Sequence, residues 1–364
     1  MGELEAEVDP GSLGDDGPGP GGGSGGGDEG GEAAERDVGH GILLRCGVGV
    51  IVSIRPQGLV GHRLGRGSRT APPAVVAYSR RCRRPAEARC HDDGGMDATP
   101  QFRVDLYRGT AHDYDRYRVP YPSALIADLA RRAALSGTGR LLDLACGPGR
   151  VTFALAEHFA DVVAIDQEEE AIRYAAAVAG ERGASHITWR SGRAEDADLE
   201  GPFELVTVGD AFHRLDRPRV AARAAQWLQT AGHIALLSTS MPWQGSAPWQ
   251  EAAMELVVHW MELTGSLRNI PANLADTVAE SPHLAVLAGA GLEVVGTYEF
   301  TAPHRWTLDG LIGFAHSTSI LSRAALGDHA EAFERDLRDR LLAVRPDGDF
   351  EDSVHFAYDL AVKR

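Results

Sequence analysis

Hydrophobic and polar positions follow a strand–turn–helix–strand pattern in the middle of the chain. Residues 141–149 are a short apolar run followed by a glycine-containing turn, and residues 150–159 show helical spacing. Residues 162–165 form a second apolar run, which ends in Asp166. This order predicts one βαβ unit, and such units bind nucleotide-like ligands at the carboxyl ends of their strands.

The turn and its flanking acids indicate the class of ligand. Gly147 and Gly149 allow backbone amides to approach a ligand, and an acid at the end of the second strand can bind a ribose diol. Thr152 replaces the third glycine of the dinucleotide fingerprint. Asp143 would repel a pyrophosphate but attract a cation. The pattern therefore favours S-adenosylmethionine, which carries a sulfonium and an ammonium, although Asp143 could instead cap the amides that follow it.

The first 95 residues differ in composition from the rest of the chain. They hold 23 of the 43 glycines, and residues 10–31 have too few apolar side chains to offset the entropy of ordering. We therefore predict that residues 1–95 are a disordered extension and that residues 96–364 form the globular domain. Alternatively, Met96 is the natural first residue of the protein, and the residues before it are an upstream extension. The arginine run at 80–84 fits either a solvated tail or a polyanion-binding arm.

Charge and cysteine usage limit the class of protein. Residues 96–364 carry a net charge of −13, which disfavours broad binding to nucleic acids. The four cysteines include no C-x-x-C pair, which favours a reducing compartment. The longest apolar stretch, residues 41–54, includes Arg45 and is shorter than the ~20 residues that a membrane helix needs. The acidic N-terminus is unlike a secretory signal. We expect a cytoplasmic protein that does not bind a membrane.

Motifs for several other chemistries are missing from the sequence. It contains no H-E-x-x-H motif, so no metal is predicted. It also lacks the G-x-S-x-G motif of many hydrolases. The segment Gly209-Asp210-Ala211-Phe212 lacks the prolines of the N/D-P-P-Y/F motif that nucleic-acid amino methyltransferases often carry. These absences favour a small-molecule ligand.

The motif LLDLACGPG at 141–149, together with Asp166 and the segments GRAED at 192–196 and DAFHRLD at 210–216, carries a family resemblance. With these motifs, residues 106–364 resemble the class I S-adenosylmethionine-dependent methyltransferases, in particular the ubiquinone and menaquinone biosynthesis branch. The resemblance implies a Rossmann-like, seven-stranded, mostly parallel α/β sheet with an antiparallel strand 7. The remaining strands are then expected at 187–190, 203–208, 233–239, 291–301 and 353–362.

The resemblance also implies a domain organisation around the core, which begins at about residue 137. An N-terminal cap is expected at 104–136. Two helical lid insertions are expected at 241–281 and 306–345, the first with an amphipathic helix near 249–263. The lids would cover the acceptor.

In this family the matching residues bind S-adenosyl-L-methionine. Asp166 would bind both ribose hydroxyls, Glu195 or Asp196 would face the adenine amine, and Arg118 would pair with the methionine carboxylate. The full set of cofactor residues implied by the resemblance is Arg118, Asp143, Ala145, Gly147, Gly149, Asp166, Gln167, Ala194, Glu195, Asp196 and Gly209.

His213 is the candidate general base, because a histidine with a reference pKa of about 6.5 suits proton removal at neutral pH. Alternatively, His213 only hydrogen-bonds backbone or binds substrate. The sequence departs from the family at Arg214, where an aromatic residue is usual, and at Asp210, where an uncharged or basic residue often occurs. Candidate substrate contacts are Tyr114, Tyr117, Asp210, Trp243 and Trp306.

These observations predict an enzyme that transfers a methyl group from S-adenosylmethionine to a small-molecule acceptor at an undetermined O, N or C atom. Two alternatives stay open: an NAD(P)-dependent oxidoreductase and a protein that binds S-adenosylmethionine without catalysis. The sequence indicates no particular oligomeric state.

Overall fold

The computed structural model describes residues 102, 103 and 105–364, so the predicted extension at 1–95 lies outside the described residues. Seven strands form one sheet in the order β3-β2-β1-β4-β5-β7-β6. β7 runs antiparallel to both of its neighbours, and the other adjacent pairs are parallel. The strands are β1 (Arg140–Leu144), β2 (Asp161–Asp166), β3 (Ile187–Ser191), β4 (Phe203–Gly209), β5 (Leu228–Thr239), β6 (Glu293–Trp306) and β7 (Phe350–Val362). The predicted Rossmann-like fold with an antiparallel strand 7 is confirmed.

The sheet is sandwiched between helices, which explains its continuous apolar runs. Strands buried on both faces carry few polar residues, and residues 203–208 of β4 are all buried. The helices are α1 (Ala111–Tyr117), α2 (Ser123–Arg132), α3 (Arg150–Leu155), α4 (Glu169–Glu181), α5 (Arg217–Trp227), α6 (Pro248–Thr264), α7 (Leu274–Glu280), α8 (His283–Gly289), α9 (Leu308–His316), α10 (Arg323–Leu326) and α11 (Ala330–Val344).

Three strands, β5, β6 and β7, extend at least three residues beyond one of their predicted ends. β5 begins at Leu228, five residues before the predicted start, because Leu228 pairs with Phe203 ahead of a register shift. β6 continues to Trp306, which pairs with Phe350 of β7. One face of β6 is exposed, so polar residues and Pro303 occur within it. Such residues are tolerated in an edge strand, which is the position of β6 in this sheet.

Helices occupy the segments in which the cap and the two insertions are expected. α1 and α2 precede β1, α6 to α8 lie between β5 and β6, and α9 to α11 lie between β6 and β7. α6 occupies the predicted amphipathic stretch, and the Trp260 indole N–H donates to Asp336 of α11 at 2.9 Å. The assignment of these segments as lids remains a prediction. Within residues 105–364, no helix is long and apolar enough to span a bilayer.

Candidate active site

A cavity of about 320 Å³ opens at the carboxyl ends of β1, β2 and β4. Strand order reverses between β1 and β4, and ligands of open α/β sheets bind at such a switch point. Of the candidate cofactor and substrate residues, ten line this cavity: Tyr114, Asp143, Ala145, Gly147, Asp166, Gln167, Ala194, Glu195, Gly209 and Asp210. The cavity lining does not include Tyr117, Arg118, Gly149, Asp196, His213, Trp243 or Trp306.

The carboxylate that ends β2 holds the loop that follows β1. Asp166 Oδ2 accepts the backbone N–H of Gly147 at 2.8 Å, and Oδ1 accepts that of Glu168 at 2.8 Å. Burial raises the pKa of Asp166, although these amides oppose the shift. Gly147 has φ +54°, and a Cβ placed there would meet nothing within 4 Å. The loop therefore leaves open space next to a carboxylate that can still accept hydrogen bonds from a diol.

A glycine is needed at position 149 for a different structural reason, which is its close packing against β3. It has φ +90°, and an added Cβ would lie 2.6 Å from Cη2 of Trp189 on β3. Gly149 therefore allows α3 to begin close against the sheet, away from the cavity lining.

Asp143 is fully buried and joins three elements. Its Oδ2 accepts from the Thr152 hydroxyl of α3 at 2.5 Å, and its Oδ1 accepts from the Thr207 hydroxyl of β4 at 2.8 Å. Burial raises the pKa of Asp143 to about 6 against these hydrogen bonds. Thr152, which replaces the third glycine of the dinucleotide fingerprint, thus donates a hydrogen bond directly to this carboxylate.

The two acids of the predicted adenine segment have different surroundings. Glu195 is buried and lines the cavity, and its Oε1 accepts the backbone N–H of Asp216 at 3.0 Å. Asp196 is exposed and pairs with Arg219 at 2.8 Å. Glu195 is therefore the acid of this pair that lines the cavity.

Asp210, at the end of β4, has an unusual backbone conformation, and its carboxylate accepts two hydrogen bonds. Its φ is +52°, a region that few residues other than glycine adopt. Oδ1 accepts the backbone N–H of Thr239 at 2.8 Å, and Oδ2 accepts from the Tyr121 hydroxyl at 3.3 Å. Burial raises the pKa of Asp210, while the guanidinium groups of Arg150 and Arg118 oppose that shift.

His213 is buried beside this loop and outside the cavity lining. Its Nδ1 has no hydrogen-bond partner among the described residues, and the Phe102 ring lies edge-on at 6.2 Å. Burial, together with the charges of Arg214 and Arg217 and the nearby His283, lowers the pKa of His213 well below its usual value. The imidazole is therefore neutral at pH 7.

Four other predicted contacts lie in packed regions next to the cavity. The Arg118 Nε donates to Ser317 Oγ at 2.8 Å, and its Cζ lies 4.6 Å from the centre of the Tyr114 ring and 4.3 Å from that of Phe314. Trp243 and Trp306 both pack edge-on against Phe314, at 5.3 and 5.5 Å. Tyr117 packs so tightly against Gly313 of α9 that an added Cβ would meet its ring at 2.2 Å. This packing gives no support to direct substrate contact by the two tryptophans or Tyr117.

Several cavity residues were not singled out from the sequence. Arg150 and Tyr121 line the β4 side, and Phe102 and Tyr107 line the side formed by the N-terminal cap. In the sequence, only the Pro120-Tyr121-Pro122 run, which favours an extended backbone, could have drawn attention to Tyr121. Within the described part of the chain, no group of three His, Cys, Asp or Glu residues has the arrangement needed to hold a metal ion.

Residues 141–232, which contain the glycine turn, Asp166 and the β4 loop, match the family model described as a methyltransferase domain. This segment is therefore similar to a methyltransferase domain. The resemblance noted from the sequence is thereby confirmed for the segment that carries the cavity.

Curated relatives match the same region. Nocamycin O-methyltransferase from Saccharothrix syringae is 40% identical over 107 residues, which cover 28% of this chain and 38% of that protein. A ubiquinone biosynthesis O-methyltransferase from Caulobacter vibrioides is 30% identical over 136 residues, which cover 37% of this chain and 53% of that protein. The chain thus spans about half or less of these two relatives.

Among solved structures, a putative type II methyltransferase from Anaeromyxobacter dehalogenans has 20% identity and a TM-score of 0.47. That alignment covers 68% of this chain and 98% of that chain.

Proposed function

We propose that this protein transfers a methyl group from S-adenosylmethionine to a small-molecule acceptor. The observation that carries the proposal is the Asp166–Gly147 hydrogen bond beside an open cavity, within a segment similar to a methyltransferase domain. When bound, S-adenosylmethionine supplies an activated methyl group that an acceptor takes by in-line displacement. The protein then has to position the two reactants and exclude water, which is worth roughly 7–11 kcal/mol.

The cavity residues suit this cofactor. Asp166 would accept from the ribose hydroxyls, and buried Glu195 and the Ala194 backbone would face the adenine. The backbone of Ala145, Gly147 and Gly209 would surround the methionine portion, with Asp143 supplying negative charge beneath it. Gln167 would lie next to the ribose. These roles are supported by the cavity lining and by the carboxylates that face it.

Proton removal is proposed for acceptors that carry an O–H or N–H. His213 is neutral at pH 7 and can therefore accept a proton, and it lies on the loop that borders the cavity. Asp210 lines the cavity itself and is the competing proton acceptor. Two of the predicted cofactor residues lie outside the lining and would act indirectly. Arg118 would hold Tyr114 in place, and Asp196 would hold Arg219.

The alternative cofactor is NAD(P). The hydroxyl of Thr152, where the dinucleotide fingerprint has glycine, donates to Asp143 and is committed to that contact. The buried carboxylate beside the turn further disfavours a pyrophosphate. A protein that binds the cofactor without catalysis is the second alternative. Small acceptors, rather than nucleic acid, are supported by the net charge of −13 on residues 96–364.

Equilibrium dialysis of the full chain with labelled S-adenosylmethionine and, in parallel, labelled NAD tests the proposal. We expect saturable binding of S-adenosylmethionine and none of NAD at the same concentration. A screen of phenols, carboxylic acids, amines and enols that follows S-adenosylhomocysteine release would then identify the acceptor. Binding of NAD alone would overturn the proposal, and cofactor binding without turnover of any acceptor would favour the non-catalytic alternative.

A further inference from the structure

Five arginines line the cavity, and one of them has no acidic partner. Three form ion pairs: Arg103 with Asp105, Arg193 with Glu195 and Asp196, and Arg219 with Asp196. Arg150 acts electrostatically on Asp210 and lowers the pKa of that acid. Arg214 has no carboxylate within ion-pair distance in the described part of the chain.

Two aromatic rings contact the Arg214 guanidinium. Its Cζ lies 4.8 Å from the centre of the Phe102 ring and 4.9 Å from that of Tyr107. A guanidinium next to aromatic rings still directs its N–H groups outward in its own plane, where they can donate hydrogen bonds. These N–H groups form the fork that binds a carboxylate.

A hydrogen bond to the second insertion, residues 306–345, holds one edge of the Arg214 guanidinium. Nη2 of Arg214 donates to Ser319 Oγ at 3.0 Å, and the carbonyl oxygen of Ser319 accepts from buried Asn269 at 2.8 Å. The Nε of Arg214 is buried and has no partner among the described residues. A half-buried cation that is held in place and has hydrogen-bonding capacity left over favours an anionic partner.

We infer that Arg214 binds a carboxylate of the methyl acceptor, so that the substrates of this protein are apolar or aromatic carboxylic acids. Phe102, Leu106 and Tyr107 supply an apolar wall beside the guanidinium for the body of such a molecule. Six acids line the same cavity, so a ligand with a single negative charge suits the site better than one with several: Asp143, Asp166, Glu168, Glu195, Asp210 and Asp216. The inference rests on the proposed function.

The test uses benzoate as the probe and benzamide as its neutral counterpart, with the full chain saturated with S-adenosylhomocysteine. Because a charge-assisted contact is stronger than a neutral one, we expect benzoate to bind about tenfold or more tightly than benzamide in a calorimetric or NMR titration. Arg214→Met should abolish this preference, and Arg214→Lys should retain part of it because it keeps the charge but loses the fork.

Arg103→Met is the matched control, since it removes a cationic side chain from the same cavity lining where that side chain already pairs with Asp105. It should leave the benzoate preference intact. Affinity for S-adenosylhomocysteine, measured for every variant, reports whether the protein is folded and should change less than about threefold.

The other outcomes of this titration overturn either the inference about Arg214 or the proposed function. Equal affinity for benzoate and benzamide, or no detectable benzoate binding by the unaltered chain, overturns the inference. So does an Arg214→Met protein that loses S-adenosylhomocysteine, because the guanidinium would then serve the cofactor carboxylate or hold the N-terminal cap closed. Failure of the unaltered chain to bind S-adenosylhomocysteine overturns the proposed function instead.

Discussion

Asp166 Oδ2 lies 2.8 Å from the backbone nitrogen of Gly147, so the end of one strand holds the turn that leaves its neighbour. β1 and β2 pair in parallel with Leu144 opposite Ile165, which brings the two strand ends to the same edge of the sheet. The carboxylate therefore has two roles: it shapes the glycine turn and it presents lone pairs to the cavity.

Replacing Asp166 with alanine is expected to weaken binding of S-adenosylhomocysteine at least ~10-fold, because hydrogen bonds to a charged acceptor are each worth roughly 1.5–3 kcal/mol. Calorimetric titration measures the change. Asp161→Ala, at the opposite end of the same strand, removes an aspartate that pairs with Arg140 and should leave the affinity unchanged. An unaltered affinity in Asp166→Ala would contradict the assigned cofactor site.

Replacing Gly149 with alanine is expected to destabilise the fold by about 1–3 kcal/mol. The new side chain would have to adopt φ +90° and lie 2.6 Å from the Trp189 ring. Urea unfolding gives the free energy. Gly180→Ala in α4 is the control, since a Cβ there meets nothing within 4 Å, and it should be neutral or gain up to about 1 kcal/mol. Equal stability of the two variants would show that the φ and contact argument fails.

The βαβ unit and its end of the cavity could be predicted because local sequence determines them. An apolar run, a glycine turn and a terminal acid suffice to place Asp166 and Gly147 at the same edge of a parallel sheet, where the structure has them. Glu195 was implied only by the family resemblance, which left Glu195 or Asp196 open, because an acidic pair after a strand is usually solvated surface.

The acceptor side could not be predicted in the same way. Whether Trp243, Trp306 and Tyr117 face the cavity or one another depends on how two insertions pack, and no local spacing determines that. In the structure the two tryptophans share Phe314 as a partner, and Tyr117 packs on Gly313 of the same helix. Arg214 was recognisable only as a departure from the family pattern, because its isolation from carboxylates is a property of tertiary structure.

Asp143 predicts a pH dependence of stability with a defined sign. Its folded pKa of about 6 lies above the ~3.9 of an unfolded aspartate, so the folded state binds the extra proton between these values. The stabilisation is complete below about pH 4 and is lost as the pH rises through about 6. The stability of the unaltered chain relative to Asp143→Asn should therefore fall by roughly 2 kcal/mol between pH 4 and 7.

Urea unfolding at several pH values measures this difference. Asp128→Asn is the control. Burial opposes the ionisation of Asp128, but hydrogen bonds from Tyr358, Arg132 and Arg131 lower its pKa to about 2. Its contribution to stability is therefore lost as the pH falls from about 4 to about 2, and it should change by less than about 0.5 kcal/mol from pH 4 to 7. A constant difference for Asp143→Asn over the same range would show that folding does not raise the pKa of Asp143.

The identity of the proton acceptor can be decided once an O–H or N–H acceptor has been found. If His213 is the base, His213→Ala should lower kcat by about 10²–10⁴-fold with little change in the KM for S-adenosylmethionine. Because burial lowers the pKa of His213, its imidazole is already neutral at pH 6.5, so its deprotonation should not add a rise in kcat between pH 6.5 and 8. His355→Ala, which removes an exposed histidine from β7, should be fully active.

Asp210→Asn separates the two candidates, since it keeps the size of the side chain and removes the negative charge that faces the cavity. If His213 is the base, this variant should retain most of kcat. Full activity in His213→Ala combined with a large loss of kcat in Asp210→Asn would transfer the role to the carboxylate. Because burial raises the pKa of Asp210, the unaltered enzyme would then lose activity as the pH falls through that raised pKa. Stopped assays of S-adenosylhomocysteine release from pH 4.5 to 8 distinguish the two profiles.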